Sequence, residues 1–297
     1  MKKILRKITC GILATACAMG CAVTLTACET TYPEVEMKVE FNGETYTLEY
    51  KLYRDLAPQT VKHFLWLADN GYYNGLCVHD YSQNDYVRLY TGAYSAVETS
   101  DDAYNLVYKK YYDTVKGYAN FGEFPQSVWL DKEGNNPTYT LKGEFEDNNF
   151  RVESGDLKET FGSLTMYYNN ISDYEEIAQQ DVYMIRADGK SNSKCDYKYN
   201  YTTSMFYISL ATTTVNNKAY CTFAELQEDS KEVLEDLQEA LTDYIESKYN
   251  SEVDEFTEEQ SILVGEDDPY LATQSMRVTY NVPKTPIVIK SVKVTKF

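Results

Sequence analysis

Residues 55–80, Asp-Leu-Ala-Pro-Gln-Thr-Val-Lys-His-Phe-Leu-Trp-Leu-Ala-Asp-Asn-Gly-Tyr-Tyr-Asn-Gly-Leu-Cys-Val-His-Asp, restrict the fold more than any other stretch of the chain. Pro58 stands where a helix begins, because its fixed φ suits the first helical turn and that turn has no use for its missing N–H. Val61, Phe64, Leu65 and Ala68 then fall on one helical face, and Asn70-Gly71 supplies the residues that tolerate a left-handed stop. Upstream, residues 37–41 and 45–53 alternate apolar and polar side chains around Asn42-Gly43, the strongest short-range signal for a β-hairpin. A hairpin followed directly by an amphipathic helix and then by a strand carrying Val78-His79-Asp80 predicts a β-rich domain whose helix buries one face against a sheet.

The first seven residues form a basic segment with Lys2, Lys3, Arg6 and Lys7, and residues 8–27 are apolar or small, the pattern of an export signal. It ends in Leu25-Thr26-Ala27-Cys28, which resembles the lipobox of bacterial lipoproteins, where the cysteine thiol takes up lipid and the peptide is cut just before it. An uncleaved membrane anchor is the other reading, since about 20 apolar residues can span a bilayer. Cleavage would remove Lys2, Lys3, Arg6 and Lys7 and no acidic residue, taking the net charge from −18 to −22. Such acidity argues against nucleic acid and against electrostatic docking on anionic headgroups, so attachment to a membrane is expected through lipid on Cys28. The mature chain would keep Cys77, Cys195 and Cys221, an odd number that rules out complete internal pairing.

The hairpin, the Ala-Pro-x-Thr-Val-x-x-Phe helix, Gly71-Tyr72-Tyr73-Asn74-Gly75 and the Val-His strand together resemble the opening of a cyclophilin, a peptidyl-prolyl cis-trans isomerase. The resemblance continues in order. Gly143-Glu144-Phe145 is similar to the family's Gly-Glu-Phe segment, Gly162-Ser163-Leu164-Thr165-Met166 to Gly-x-Leu-Ser-Met, Ser204-Met205-Phe206-Tyr207-Ile208 to Ser-Gln-Phe-Phe-Ile, and Phe223-Ala224-Glu225-Leu226 to Phe-Gly-x-Val. It implies a mainly β domain over residues 37–297, behind a signal at 1–27 and a tether at 28–36. The expected architecture is a closed eight-stranded antiparallel barrel with capping helices and a side-chain-filled interior. Long insertions are expected near 93–138, 169–201 and 227–280, the last beginning with a long amphipathic helix carrying Leu226, Val233, Leu234, Leu237, Leu241 and Ile245.

Prolyl isomerisation lowers an amide-rotation barrier of about 18–20 kcal/mol without breaking a covalent bond. It calls for a dry apolar seat for the ring and a positioned donor. In cyclophilins that donor is an arginine directly after Phe-His, and the matching residue here is Asp80. The family's next-strand glutamine falls on Leu89 if one residue is inserted in the turn 82–85, or on Arg88 without a gap. The gapped alignment puts Tyr86 and Val87 at aromatic and apolar family positions, while the ungapped one brings the Arg88 cation to the cleft. Further on, Met205 stands for a glutamine, Tyr207 for the phenylalanine that floors the proline pocket, and Tyr220 for a histidine, while Met166 is retained. The resemblance therefore implies an isomerase-like protein acting on proline-containing segments of exported proteins, with catalysis weak or lost. A non-catalytic peptide- or protein-binding module at the cell surface is the other reading. The two histidines, His63 and His79, lack metal or triad spacing, and no cofactor or metal is expected.

Overall fold

A computed structural model describes residues 30–82, 87–99, 103–119, 128–150, 157–168, 180–185, 192–216, 218–264 and 276–297. The signal segment, Cys28 and Tyr86 lie outside them. The hairpin forms as the sequence requires: β1 (Glu34–Phe41) pairs with β2 (Glu44–Leu52), and Asn42 and Gly43 turn the chain with φ of 49° and 84°. Helix α1 (Pro58–Asp69) has Pro58 at its start, and Gly71 follows it with φ of 66°.

This helix is buried on more than the single face its spacing predicts. Thr60, His63 and Leu67 are enclosed along with Val61, Phe64, Leu65 and Ala68. The helix meets the main sheet at Phe206 and Phe223, whose rings lie 5.5 and 5.0 Å from Phe64. Its N-terminal N–H groups, which no helical carbonyl can satisfy, are taken by Glu144 of the Gly-Glu-Phe segment, whose carboxylate accepts from Gln59 (3.1 Å) and Thr60 (2.8 Å).

Strands β3 (Leu76–Cys77), β4 (Asp80–Ser82) and β5 (Arg88–Thr91) follow, then the hairpin of β6 (Tyr94–Glu98) and β7 (Tyr104–Tyr108), and helix α2 (Tyr111–Ala119). Beyond them come β8 (Leu164–Tyr168), the hairpin of β9 (Asp181–Ile185) and β10 (Asn192–Asp196), β11 (Thr202–Ser209) and β12 (Cys221–Leu226). The chain closes with α3 (Lys231–Tyr249), the short α4 (Val253–Phe256), the hairpin of β13 (Thr257–Val264) and β14 (Met276–Pro283), and β15 (Val288–Lys296).

Nine strands form one large curled antiparallel sheet in the order β3-β15-β1-β2-β12-β8-β11-β5-β4. The count exceeds the eight expected because the segment 76–82 breaks at Val78-His79, so that β3 pairs with β15 and β4 with β5. The concave interior is filled by Met37, Val39, Leu48, Leu89, Phe206, Ile208 and Phe223, all inaccessible to solvent. In the third insertion the long helix starts at Lys231, since Glu225 and Leu226 still belong to β12. Leu234, Leu237, Leu241 and Ile245 form its buried stripe. Cys77, Cys195 and Cys221 are free thiols.

The hairpins β6–β7 and β13–β14 build a second apolar cluster on the outside of the sheet. Tyr94, Tyr104 and Leu106 from the first and Tyr280 and Val282 from the second enclose Cys77 and Met205. Gln260 joins the two hairpins through the N–H of Leu106 (3.3 Å) and the carbonyl of Tyr104 (3.1 Å).

Candidate functional site

Strand alternation decides which of the expected site residues meet. Asp80 on β4 lies opposite Tyr90 on β5, and Tyr90 lies opposite Tyr207 on β11, so these three share the outer face of the sheet. Arg88, two residues before Tyr90, shares that face and lies opposite Ser209. The intervening row, Tyr81, Leu89 and Ile208, points into the core. Leu89 is therefore an interior residue, and the side chains that β5 offers beside Tyr207 are Tyr90 and Arg88.

The guanidinium of Arg88 is already committed. Its Nε and Nη2 donate to the two carboxylate oxygens of Glu159 at 2.9 and 2.8 Å. Glu159 is inaccessible to solvent and also accepts the hydroxyls of Tyr207 (2.8 Å) and Ser209 (3.0 Å). Its own backbone is pinned by a two-way bridge to Val215. Burial works against the Arg88 cation, but the Glu159 carboxylate outweighs it and holds the guanidinium pKa above its ordinary value. The same guanidinium lies 4.6 Å from the centre of the Tyr207 ring, a cation–π contact.

Tyr207, which the resemblance makes the floor of a proline pocket, is 0 % exposed. Besides Arg88 it is flanked by the rings of Tyr90 (5.1 Å) and Tyr220 (6.2 Å). Tyr220 in turn stacks on Tyr167 at 5.9 Å. Tyr90, Tyr167 and Tyr220 are half-buried and form an aromatic shelf around the closed Arg88–Glu159–Tyr207 centre. The other expected residues do not join it. Met166 faces the core, Val87 packs partly against the core, and Met205 lies beneath the β6–β7 and β13–β14 hairpins. Tyr86 is outside the described residues.

Asp80 is occupied as well: its Oδ1 accepts the backbone N–H of Asn281 on β14 at 2.9 Å, so Asp80 docks the β13–β14 hairpin against β4. Burial raises its pKa to about 6, partly offset by that hydrogen bond. The fold thus prefers the protonated acid. Relative to an ordinary aspartate near 3.9, Asp80's contribution to stability is most favourable below about pH 4, declines as pH rises through about 6 and is flat above. Asp80→Asn keeps an oxygen acceptor for Asn281 and removes the charge. Its stability relative to the parent is expected to rise between pH 4 and pH 7, read as the difference in urea midpoints, and a difference independent of pH would contradict this account.

The two histidines are structural. His63 lies against the Tyr111 hydroxyl (3.2 Å) and His79 packs between Tyr94 and Tyr280 at 5.0 and 4.9 Å. Burial lowers both pKa values to about 3, so both rings are neutral at pH 7. Among the described residues no group of three His, Cys, Asp or Glu is placed to hold a metal.

Sequence reading did not find Glu159, Tyr90, Ser209 or Asn281. Tyr90 and Ser209 carried a signal, since each is two residues along a predicted strand from a residue already chosen. Glu159 carried none, and Asn281 contributes only backbone.

A curled antiparallel sheet with a helix against its filled interior, and a polar centre on its outer face where β4, β5 and β11 run side by side, defines the class of this protein. It belongs to the cyclophilin type peptidyl-prolyl cis-trans isomerase/CLD family, whose sequence model matches residues 36–258. A Staphylococcus haemolyticus protein provisionally named as a peptidyl-prolyl cis-trans isomerase is 37 % identical over 57 residues, 17 % of this chain and 29 % of that protein. The chain thus matches under a third of that relative's length. Among solved structures, a Cryptosporidium parvum cyclophilin type peptidyl-prolyl cis-trans isomerase aligns with a TM-score of 0.43 at 15 % identity, covering 90 % of this chain and 99 % of its own. The same protein crystallised in the presence of the dipeptide Ala-Pro aligns with a TM-score of 0.42 at 15 % identity, covering 89 % and 99 %.

Proposed function

We propose that this cyclophilin-type protein binds proline-containing or extended segments of exported proteins with weak or no isomerase turnover, held by lipid on Cys28 at the extracytoplasmic face of a bacterial membrane. The observation that carries the reading is the filled centre. The ring at the proline-floor position has no exposed surface, and its face is taken by a guanidinium that Glu159 already holds. Loss of one preorganised donor typically costs roughly 10²–10³ in rate. Here the family's donor position holds an acid bonded to Asn281, and the substrate's seat is closed in addition. The half-buried tyrosines 90, 167 and 220 support a holding role, because each offers a flat apolar ring to an extended peptide.

The same reading takes the curled sheet as a closed barrel. In support, Val78 N–H bonds to Ile287 (2.8 Å) and His79 N–H to Tyr90 (2.9 Å), carrying hydrogen bonding across the break between β3 and β4.

A protease-coupled assay with prolyl tetrapeptides on the soluble domain tests the proposal. The expected rate is at or only slightly above the uncatalysed background. Acceleration that disappears in Arg88→Lys, which keeps a cation for Glu159 but loses the two-pronged contact, would instead establish an isomerase rebuilt around Arg88.

A further inference from the structure

The first described residues are fastened to the body rather than trailing from it. The Thr30 N–H donates to the Phe297 carbonyl (2.9 Å), Pro33 accepts from Leu52 (2.8 Å), and Thr31 accepts from Arg54 (3.1 Å). The Tyr32 ring packs edge-on against Tyr53 at 5.4 Å, and Lys51 lies 4.2 Å from the centre of Tyr32. If Cys28 carries lipid, only Glu29 separates it from Thr30, a reach of about 7 Å over two residue steps. A lipid-held body with so short a link cannot tumble freely above the bilayer.

The end of the body nearest that link is also suited to an interface. Tyr32 (37 % exposed) and Phe297 (42 % exposed) are two of the four exposed large apolar side chains among the described residues, the others being Val97 and Val107 on the β6–β7 hairpin. Around them Lys51, Arg54 and Lys296 stand with Glu34, Asp55 and Glu225, a balanced rim on a chain whose net charge is strongly negative. Tyrosine favours the headgroup level of a bilayer, where its ring is half dry and its hydroxyl wet. A near-neutral rim also avoids the repulsion that anionic lipid would exert on the acidic remainder.

We infer that the Tyr32–Phe297 end rests on the lipid headgroups, fixing one orientation of the body on the membrane. This rests on the reading of Cys28 as the lipid-bearing residue.

The test uses the full-length lipidated protein in zwitterionic phosphatidylcholine vesicles with brominated acyl chains. Trp is introduced singly as Tyr32→Trp, Phe297→Trp, Val97→Trp or Val107→Trp, and the quenching added over the parent protein is measured. Positions 32 and 297 are expected to be quenched several-fold more than 97 and 107. Equal quenching at all four positions, with acylated Cys28 shown by mass spectrometry, overturns the orientation and leaves the lipid reading intact. Unmodified Cys28 overturns both.

Discussion

Replacing Arg88 with alanine is expected to lower the unfolding free energy by about 3–5 kcal/mol, the range for removing one partner of a buried ion pair. Two opposed effects set the size. Attraction within the pair is offset by the cost of drying both ions, so the intact pair adds little net stability. Deleting only the cation leaves a carboxylate with no access to water, whose desolvation is then compensated only by the Tyr207 and Ser209 hydroxyls. The accessibilities decide that this regime applies, since the side chains of Arg88 and Glu159 are 15 % and 0 % exposed. Lys290–Glu40, at 48 % and 35 %, is the internal comparison. Lys290→Ala is expected to cost under about 1 kcal/mol, as exposed pairs do. Urea unfolding measures both. Replacing the pair together, as Arg88→Met with Glu159→Leu, should recover part of the loss, because no buried charge is left unpaired while the Tyr207 and Ser209 hydroxyls lose their acceptor. A cost for Arg88→Ala as small as that for Lys290→Ala would mean that water reaches Glu159, and the argument for a closed centre would fail with it. The stability experiment and the isomerase assay therefore examine one feature, a guanidinium already spent on a buried acid.

Gly92→Ala is expected to cost about 2–4 kcal/mol, combining backbone strain with a clash. Gly92 has φ of +98°, which L side chains rarely adopt, and a Cβ there would sit 2.4 Å from the Ser204 carbonyl oxygen and 3.1 Å from the Met205 Cα. Both are backbone atoms and cannot swing aside. The Ser204 hydroxyl also donates to the Gly92 carbonyl (2.7 Å), so the two strands are held at this approach from both sides. Gly43→Ala separates the contributions, since Gly43 has φ of +84° with nothing within 4 Å of its Cβ position and should show the strain alone. Equal urea midpoints for the two variants would mean that β5 and β11 part easily. The tight packing that keeps Met205 and Tyr207 covered would then be in question.

Much of the fold was legible in the sequence because its signals are local. Asn42-Gly43 can make only a tight turn of its kind, Pro58 and Gly71 punctuate one helix, and Leu234, Leu237, Leu241 and Ile245 recur at helical spacing whatever they pack against. The candidate site was legible only in part. Tyr207 and Arg88 were identified, but the choice between Arg88 and Leu89 turned on one residue in the turn 82–85, and a one-residue change of register exchanges the faces of a strand. The pairing of β5 with β4 and β11 puts Leu89 inside and Arg88 outside. Met166 and Met205 lay in the matching motifs, yet one faces the core and the other lies beneath the β6–β7 and β13–β14 hairpins.

By itself the sequence determined the β-rich domain, its opening hairpin and two longest helices, the family resemblance and, through that resemblance, an acid, Asp80, where an arginine is expected. Each of these depends on residue identity and short-range spacing. The tertiary structure alone decided that Glu159, 71 positions from Arg88, would claim its guanidinium, and that the N–H of Asn281, 201 positions from Asp80, would claim its carboxylate. The reason is physical: a buried charge must find a partner in space, and nothing in the order of the chain records which distant residue the packing will bring to it.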